Sequence, residues 1–340
     1  MQAARFHAHG GPEVFRYEAA PDPVATPGHV VVRVRACALN HLDLWQRRGL
    51  ERITIPLPHI SGAEVAGDVV EAPGGEFAAG SRVLLQPGLS CGRCAACLAG
   101  LDNTCARYDV LGYQSDGGYA DLVRVPVVNV VPIPDHVSYV DAAAFPLTFL
   151  TAWHMLVARA RLTHGEIVLV VAGTSGVGQA AIQLARVFGA RVIATAGTEA
   201  KRARCLELGA EAVIDHHGSD LGAEARRLTG RRGVDVVVEH VGEATWAKSV
   251  RALAPGGRLV TCGNTTGWDA AIDLRFLFSR QLSLLGSYMG TKSELLQAAA
   301  LLFDGRIRPL VDTVLPLAEA ADAHRRLEAG EVSGKLVLVP

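Results

Sequence analysis

Hydrophobic and polar residues follow two different patterns in the two parts of this chain. In GHVVVRVRA, residues 28–36, apolar and polar positions alternate, which predicts a half-buried strand. Further short runs of this β-like kind, punctuated by glycine and proline, lie at 64–72, 81–88 and 120–134. The first part of the chain is therefore predicted to be a mostly β domain built from short, irregular strands.

From about residue 148 the pattern changes to buried strands that alternate with helices. EIVLVVAG, residues 166–173, is apolar almost throughout, as expected of a strand that is covered on both faces. The tail, 291–340, is predicted to contain one or two helices and to end in the strand GKLVLVP. The alternation predicts an α/β domain with a doubly wound parallel sheet. Its further predicted elements are strands at 191–197, 211–216, 233–242, 258–264 and 282–290, and helices at 179–190, 199–210 and 244–257.

Composition limits the classes of function. The 340 residues are enough for two domains, and 49% apolar with 20% charged residues is typical of a globular protein. The net charge of −1 lacks the basic excess of a nucleic-acid binder, and no apolar run approaches the roughly 18 residues that span a bilayer. The N-terminal segment has no apolar signal-peptide region, so we expect a cytoplasmic protein without membrane or nucleic-acid partners.

Four of the seven cysteines lie close together in SCGRCAACLAGLDNTC, residues 90–105. They are Cys91, Cys94, Cys97 and Cys105. In a reducing compartment, this C-x2-C-x2-C-x7-C spacing favours a four-thiolate zinc site over disulfides. Four thiolates leave no open position for substrate, so the sequence predicts one structural Zn²⁺ per chain, which stabilises a lobe at 90–106.

A glycine-rich segment, VVAGTSGVGQAA, follows the buried strand at 166–173 and opens a predicted helix. Its glycines allow a sharp turn and a close approach to a pyrophosphate, whose charge is favoured by the helix N-terminus. The predicted dinucleotide cradle consists of Gly173, Thr174, Ser175, Gly176, Val177 and Gly178. The ends of later strands are expected to add Gly197, Thr198, Val241, Gly263 and Asn264 to the cofactor site.

The end of the second strand of this domain bears on the choice between NAD and NADP. An acidic residue usually binds the ribose 2′-hydroxyl there in NAD sites, but this chain has Ala196 and Gly197. Lys201, one of only four lysines, and His216 could instead meet a 2′-phosphate. Lys201 could equally be a solvated helix residue, and Glu199 could bind a ribose from a shifted position. The balance favours NADP(H) over NAD(H).

The four-cysteine lobe, GTSGVG after a buried strand, GSYMGTK and the closing GKLVL make the chain resemble the medium-chain dehydrogenase/reductase superfamily over essentially its full length. The resemblance implies an NAD(P)-dependent enzyme that acts on a small molecule. It also implies a GroES-like, mostly β catalytic domain, at 1–147 and 288–340, around a Rossmann domain at 148–287. Homodimers or homotetramers built through the cofactor domain are expected on the same ground.

Zinc alcohol dehydrogenases of this superfamily hold a second, catalytic zinc, whose three ligand positions correspond by resemblance to Asn40, Ala63 and Leu147. Alanine and leucine cannot bind a metal, and His41 would point away from Asn40 if this segment were a strand. The element Asn40-x-x-Asp43 is instead similar to the zinc-independent quinone oxidoreductases. Those enzymes usually lack the four-cysteine lobe, so this chain combines features of both branches.

Without a metal ion as Lewis acid, hydrogen bonds must stabilise the charge that develops on a substrate oxygen. Asn40 is the first candidate donor, and Asp43 either orients that region or caps a helix. By the same resemblance Thr151 lies beside the nicotinamide, while Thr148 either faces the same site or belongs to the core. The leading prediction is an NAD(P)H-dependent reductase of a conjugated carbonyl, such as a quinone, an enone or an enoyl compound. The alternatives are an alcohol dehydrogenase or aldehyde reductase, and a non-enzymatic NADPH-binding protein.

Overall fold

The computed structural model describes residues 1–50 and 53–340. The chain forms two compact units, one made of Met1–Leu147 and Thr291–Pro340 and the other of Thr148–Gly290. The first unit is therefore discontinuous in sequence, and its second segment begins three residues after the predicted position 288. None of the helices in the described parts of the chain is both long and apolar enough to cross a bilayer.

The first unit is built around a mixed sheet whose central strand is His29–Ala38. This strand pairs antiparallel with three others, and its alternating pattern places apolar side chains in the core, as the sequence predicted. The strand order across the sheet is Val130–Pro132, Arg82–Leu85, Glu64–Glu71, His29–Ala38, Lys335–Val339 and Val311–Pro316, with Leu122–Pro126 paired to His29–Ala38. Two small sheets contain the other strands of this unit. One is formed by Phe15–Ala19, Gln2–Phe6 and His59–Ile60, and the other by Gly88–Leu89 and Asp109–Val110. The helices that begin in this unit are His41–Arg48, Ala95–Leu98, Tyr139–Ala143, Pro146–Trp153, Lys292–Phe303 and Ala320–Glu328.

The second unit contains a six-stranded, fully parallel sheet, which confirms the predicted doubly wound class. The strand order is Ala212–Asp215, Arg191–Ala196, Ile167–Val170, Val234–Glu239, Leu253–Thr261 and Ser283–Gly286. Its helices are Gly176–Val187, Glu199–Glu207, Leu221–Leu228, Glu243–Ala252 and Leu274–Ser279, and a π-helical segment covers His154–Arg159. The strand order reverses between Ile167–Val170 and Val234–Glu239, which is where doubly wound sheets bind nucleotides.

Several predicted boundaries are wrong for identifiable reasons. The helix expected at 244–257 ends at Ala252, and the next strand already begins at Leu253. Pro255 lacks the N–H that a helix interior needs, so the chain cannot stay helical there. The helix expected at 179–190 begins earlier, at Gly176, because the Ser175 hydroxyl caps it. The strand Val311–Pro316, parallel to the final strand, was not predicted.

Candidate active site

Four cysteine thiols come together in the lobe that the spacing predicted. The sulfur atoms of Cys91, Cys94, Cys97 and Cys105 all lie within 4.8 Å of one another. The Cys97 Sγ is 3.9 Å from the Cys91 Sγ and 3.5 Å from the Cys94 Sγ. Zinc–sulfur bonds of about 2.3 Å in a tetrahedron put sulfur atoms roughly 3.8 Å apart, so these four thiols fit a zinc ion.

The surroundings of Cys91 favour the thiolate, the form of cysteine that binds zinc. Hydrogen bonds from the Arg93 backbone and the Arg107 side chain lower the pKa of the Cys91 thiol to about 5. The backbone N–H groups of Cys91 and Arg107 donate to the Cys105 Sγ, over 3.5 and 3.4 Å. Within residues 1–50 and 53–340, the four cysteines form the one group of three or more His, Cys, Asp or Glu side chains placed to hold a metal ion.

Asn40 lies at the junction between the strand His29–Ala38 and the helix His41–Arg48. It is the last residue before the helix and has an extended backbone, with φ −135° and ψ 160°. The strand geometry assumed for His41 in the sequence analysis is therefore wrong, because the helix begins at that residue. The Asp43 carboxylate accepts a 2.7 Å hydrogen bond from the Asn40 backbone N–H, which is a helix-capping contact and one of the two roles considered for Asp43.

Two charged residues hold the Asn40 side chain. Its Oδ1 accepts a 2.7 Å hydrogen bond from the Lys335 ammonium, and its Nδ2 donates over 3.0 Å to the Glu64 carboxylate. Glu64 and Lys335 are themselves 2.6 Å apart, with side chains that are 0% and 2% exposed. The second Glu64 oxygen accepts a 2.7 Å bond from the Leu147 backbone N–H. We call Asn40, Glu64 and Lys335 the clamp.

By the resemblance to the zinc alcohol dehydrogenases, Asn40, Ala63 and Leu147 stand at the positions of zinc ligands, and two of these three contact Glu64. The Asn40 amide and the Leu147 backbone both donate to Glu64, and Ala63 offers no ligand atom. The Asn40 Nδ2 carries a second N–H, for which no acceptor is present in the described part of the chain. Asn40 is 8% exposed, so the clamp presents a rigidly held amide with one hydrogen left to donate.

A chain of buried hydrogen bonds leads from Arg47 to Asp43, and each bond is donated toward Asp43. Arg47 can only donate, so the His324 Nδ1, 3.1 Å from its guanidinium, accepts that bond. Burial, helped by the Arg47 charge, lowers the pKa of His324 well below its ordinary value, so the ring is neutral and its proton is on Nε2. That nitrogen is 3.3 Å from the Tyr119 hydroxyl, which lies 3.3 Å from the Asp43 carboxylate and donates to it. Burial raises the pKa of Asp43 to about 6, so it is ionised at neutral pH.

Both predicted threonines lie on the helix Pro146–Trp153. Thr148 is 2% and Thr151 5% exposed, so both are buried in the protein without cofactor. Trp153, on the same helix, packs edge-on against Phe188 with ring centroids 5.2 Å apart. Trp153 is therefore a core residue of the second unit.

The glycine-rich loop presents hydrogen-bond donors at a helix N-terminus. The Ser175 Oγ accepts a 2.9 Å bond from the Gly178 N–H, and the N–H groups of Gly176 and Val177 have no acceptor among the residues that the structure describes. A side chain at Gly178 would collide with the Ala172 carbonyl oxygen. Ala172 itself has a left-handed φ of 49°, and its N–H donates over 2.9 Å to the Thr195 hydroxyl. These free donors fit the pyrophosphate of a dinucleotide.

The end of the strand Arg191–Ala196 carries basic side chains. The His216 Nδ1 is 3.4 Å from the Thr195 hydroxyl, and burial together with neighbouring His217 lowers the pKa of His216. A side chain at Gly197 would collide with both imidazoles. The Thr198 hydroxyl caps the next helix by accepting a 3.2 Å bond from the Lys201 backbone N–H. The predicted Lys201 and His216 are thus neighbours, and His217 joins them.

A buried carboxylate organises the loop after the strand Val234–Glu239. One oxygen of Glu239 accepts from the N–H groups of Val241 and Gly242, over 2.7 and 3.2 Å. The other accepts from the Thr245 and Ser249 hydroxyls, over 2.9 and 2.6 Å. Four donors replace the water that this carboxylate loses on burial, and they fix the loop that contains the predicted Val241.

The end of the neighbouring strand Leu253–Thr261 approaches that loop closely. A side chain on Gly263 would lie 3.1 Å from the His240 carbonyl oxygen, so a small residue is favoured there. Asn264, also predicted for the cofactor site, is exposed and lies next to Gly242 of that loop.

Sequence reasoning did not assign a role to Lys335, His217, Glu239 or His240. Lys335 had one usable signal, because it is one of four lysines and begins an otherwise apolar strand. Glu239 and His240 follow a run of three valines at a strand end, the place where open α/β sheets bind ligands. The remaining partners are brought together only by the fold.

The parallel sheet with its phosphate cradle fits a nicotinamide dinucleotide, and the four-thiol cluster of the β unit fits a zinc ion. Residues 26–135 match the model of the alcohol dehydrogenase GroES-like domain, and residues 176–304 match that of zinc-binding dehydrogenases. The chain belongs to the medium-chain dehydrogenase/reductase superfamily and is an NAD(P)-dependent oxidoreductase. The expected family and fold are confirmed, and an enzyme is favoured over a non-enzymatic NADPH-binding protein.

Three similar proteins carry different names. A quinone oxidoreductase from Pseudomonas aeruginosa is 33% identical over 99% of this chain and 98% of its own length. A crotonyl-CoA reductase from Streptomyces avermitilis is 29% identical over 94% of this chain and 81% of its own length. A crystal structure of an NAD-dependent alcohol dehydrogenase is 46% identical, with a TM-score of 0.97 and full coverage of both chains.

Proposed function

We propose that the protein is an NAD(P)H-dependent reductase of a conjugated carbonyl compound, with one structural zinc and no catalytic zinc. The observation that carries this proposal is the clamp, which leaves one Asn40 N–H free to donate. The names of the quinone oxidoreductase and the crotonyl-CoA reductase among its relatives support the same class of substrate.

In the proposed mechanism, Asn40 acts on the carbonyl oxygen of the substrate. When bound, a reduced nicotinamide supplies the hydride. Addition of hydride at the far carbon of the conjugated system moves negative charge onto the carbonyl oxygen, and the free Asn40 N–H donates to it. The Lys335 ammonium polarises the amide through Oδ1, which strengthens its N–H as a donor, while Glu64 fixes its orientation. A proton from solvent completes the two-electron reduction.

The proposed metal content follows from the side chains at the ligand positions. Ala63 and Leu147 supply no ligand atom, and the Asn40 oxygen already accepts from Lys335. Cys91, Cys94, Cys97 and Cys105 would hold a single zinc ion, which supplies stability to the lobe and no chemistry to the substrate. Metal analysis of the purified protein is expected to give close to one zinc per chain, whereas close to two would contradict the proposal.

The decisive experiment compares wild type with Asn40→Ala on a panel of quinones, enones, enoyl thioesters, aldehydes and alcohols. Loss of one oxyanion donor typically lowers kcat by about a hundredfold or more. We therefore expect a fall of this size on the conjugated substrates, with an unchanged dissociation constant for the cofactor. A rate within about twofold of wild type, in a variant that unfolds at the same temperature, would remove Asn40 from the mechanism.

An alcohol dehydrogenase is the second candidate, because the structure named NAD-dependent alcohol dehydrogenase is 46% identical over the full chain. Oxidation of alcohols faster than reduction of enones or quinones, together with two zinc ions per chain, would favour it. These results would leave the predicted four-thiol site intact and would revise only the substrate and the second metal.

We further propose that NADP(H) is preferred over NAD(H). Support comes from the basic group of Lys201, His216 and His217 at the end of the strand Arg191–Ala196, where Gly197 stands in place of an acid. The word NAD in the name of the 46% identical structure argues the other way. Dissociation constants for NADPH and NADH, measured side by side, decide the question.

Self-association is also proposed, through the edge strand Ser283–Gly286 of the parallel sheet. An unpaired strand edge is a template for pairing with a second copy. The segment before it exposes the large apolar side chains Trp268, Leu274 and Phe278, which are 79%, 64% and 70% exposed. Light scattering is expected to report a dimer or tetramer, and Leu285→Lys in the edge strand is expected to give monomers.

A further inference from the structure

His240 is a buried imidazole beside the phosphate cradle. It directly follows the strand Val234–Glu239 and is 8% exposed. Its Nε2 lies 3.2 Å from the Ser175 Oγ, the same oxygen that caps the helix Gly176–Val187. The backbones of Val171 and of His240 itself act on the ring as hydrogen-bond partners that raise its pKa, which is the effect of carbonyl oxygens. His240 thus contacts the hydroxyl that caps the helix of the cradle.

The hydrogens around a neutral His240 can be assigned from donor and acceptor roles. Carbonyls only accept, so the ring nitrogen that faces them must carry a hydrogen, and with Nε2 on Ser175 that nitrogen is Nδ1. The unprotonated Nε2 then accepts the hydrogen of the Ser175 hydroxyl. The Ser175 Oγ in turn accepts from the Gly178 N–H, so its hydrogen is not available to a ligand.

Protonation of the ring reverses the direction of the hydrogen bond between His240 and Ser175. A protonated Nε2 donates to the Ser175 Oγ, whose two lone pairs then accept from His240 and from Gly178. The serine hydrogen must turn away from the ring and becomes a third donor beside the free N–H groups of Gly176 and Val177. A bound pyrophosphate therefore stabilises the protonated ring in two ways. It accepts the extra hydrogen bond from Ser175, and its negative charge attracts the positive ring.

Among the groups that lie around His240, His240 itself is the one expected to change its protonation state. Burial lowers the pKa of the ring, while the charge of Glu239 on the same strand raises it, so the ring is neutral at neutral pH without cofactor. Strand Ile167–Val170 brings only the Val171 carbonyl, and the cradle brings Ser175. Cys262, at the end of the strand Leu253–Thr261, has a pKa raised to about 12 by burial and by Glu239, so it stays neutral.

We propose that His240 and Ser175 couple dinucleotide binding to the uptake of one proton, so that His240 is a positioning residue for the cofactor pyrophosphate. The proton comes from solvent and binds to Nε2, and no other bond changes. The proposal rests only on binding of a nicotinamide dinucleotide at this loop, and it is independent of the substrate and of the metal content.

Titration of the apoprotein with NADH tests the proposal without any turnover. NADH is the suitable probe because it lacks a 2′-phosphate, which itself titrates near neutral pH. We expect the dissociation constant to fall as the pH falls from about 8 to about 6, by at most about tenfold per pH unit for one coupled proton. Calorimetry in two buffers of different ionisation enthalpy is expected to show proton uptake on binding.

Two variants and one matched control decide the interpretation. His240→Gln keeps a polar group near Ser175 but cannot titrate, and Ser175→Gly removes the hydroxyl at a cost to the helix cap of only about a few tenths of a kcal/mol. Both are expected to bind NADH with an affinity that no longer changes with pH. His164→Gln, an exposed histidine that precedes the N-terminal end of the strand Ile167–Val170 and lies outside the cofactor site, is the control and is expected to keep the wild-type dependence with NADH.

A wild-type protein that binds NADH equally at both ends of this pH range would overturn the proposal. So would a pH dependence that survives in His240→Gln. Failure of the proposed substrate class would show in the turnover panel and would leave these binding measurements unaffected.

Discussion

Removal of the Lys335 ammonium tests the clamp most directly. With the ammonium nitrogen 2.6 Å from the Glu64 carboxylate, the attraction is about 6 kcal/mol at an effective dielectric constant of about 20. In Lys335→Met the carboxylate stays buried and loses its countercharge, while the donors from Asn40 and Leu147 remain. Loss of one partner from a buried pair costs about 3–5 kcal/mol, which is a large part of the roughly 5–15 kcal/mol that stabilises a typical protein.

The assay must report on the first unit by itself, because two units can unfold separately. Hydrogen exchange in urea, read by mass spectrometry on peptides from the strands His29–Ala38 and Glu64–Glu71, meets that need. Lys335→Met is expected to lose about 3–5 kcal/mol in these peptides, and Lys335→Met combined with Glu64→Gln is expected to recover part of the loss. Lys248→Met, a partly exposed lysine of the second unit, is the control.

A loss below about 1 kcal/mol in Lys335→Met would refute the reasoning, because that is the size expected of an exposed ion pair. Equal losses in the single and the double variant would show that the two charges do not interact. In either case the proposal that Lys335 polarises the Asn40 amide would be rejected together with the ion pair.

Three further predictions concern single residues. Cys94→Ser is expected to lose the zinc ion and to lower the unfolding temperature, and unchanged metal content by mass spectrometry would contradict the four-thiol site. Lys201→Ala is expected to raise the dissociation constant for NADPH about tenfold and to leave that for NADH within about twofold; equal effects would remove Lys201 from the cofactor argument. The pKa of Asp43 is raised to about 6 in the fold, so the folded protein binds more protons at this residue than the unfolded chain does. The free energy of unfolding of the wild type, relative to that of Asp43→Asn, is therefore expected to rise as the pH falls from about 6 to about 4. Urea denaturation across this range checks the sign.

Features encoded by local spacing were predictable from the sequence. The alternation of buried strands and helices gave the correct parallel sheet, since each strand and helix carries its own periodicity. The four cysteines lie within a short loop, so their spacing alone predicts that they meet. The glycine-rich loop is contiguous in the same way, although its helix begins at Gly176 and not at the predicted residue 179.

The clamp could not be found in this way, because its members are far apart in sequence. Lys335 is 295 positions after Asn40 in the chain, and the pairing of the final strand with His29–Ala38 brings them together. The same holds for His240, whose partner Ser175 is 65 positions away.

The discontinuity of the first unit has a consequence for synthesis on the ribosome. The Glu64 carboxylate emerges early, but its countercharge is on the strand Lys335–Val339 and arrives only after the whole second unit has been made. The second unit is contiguous and can complete its sheet before that point. A nascent chain halted before this last strand would therefore expose an unsatisfied acid and an open sheet edge, which are features that chaperones and proteases recognise.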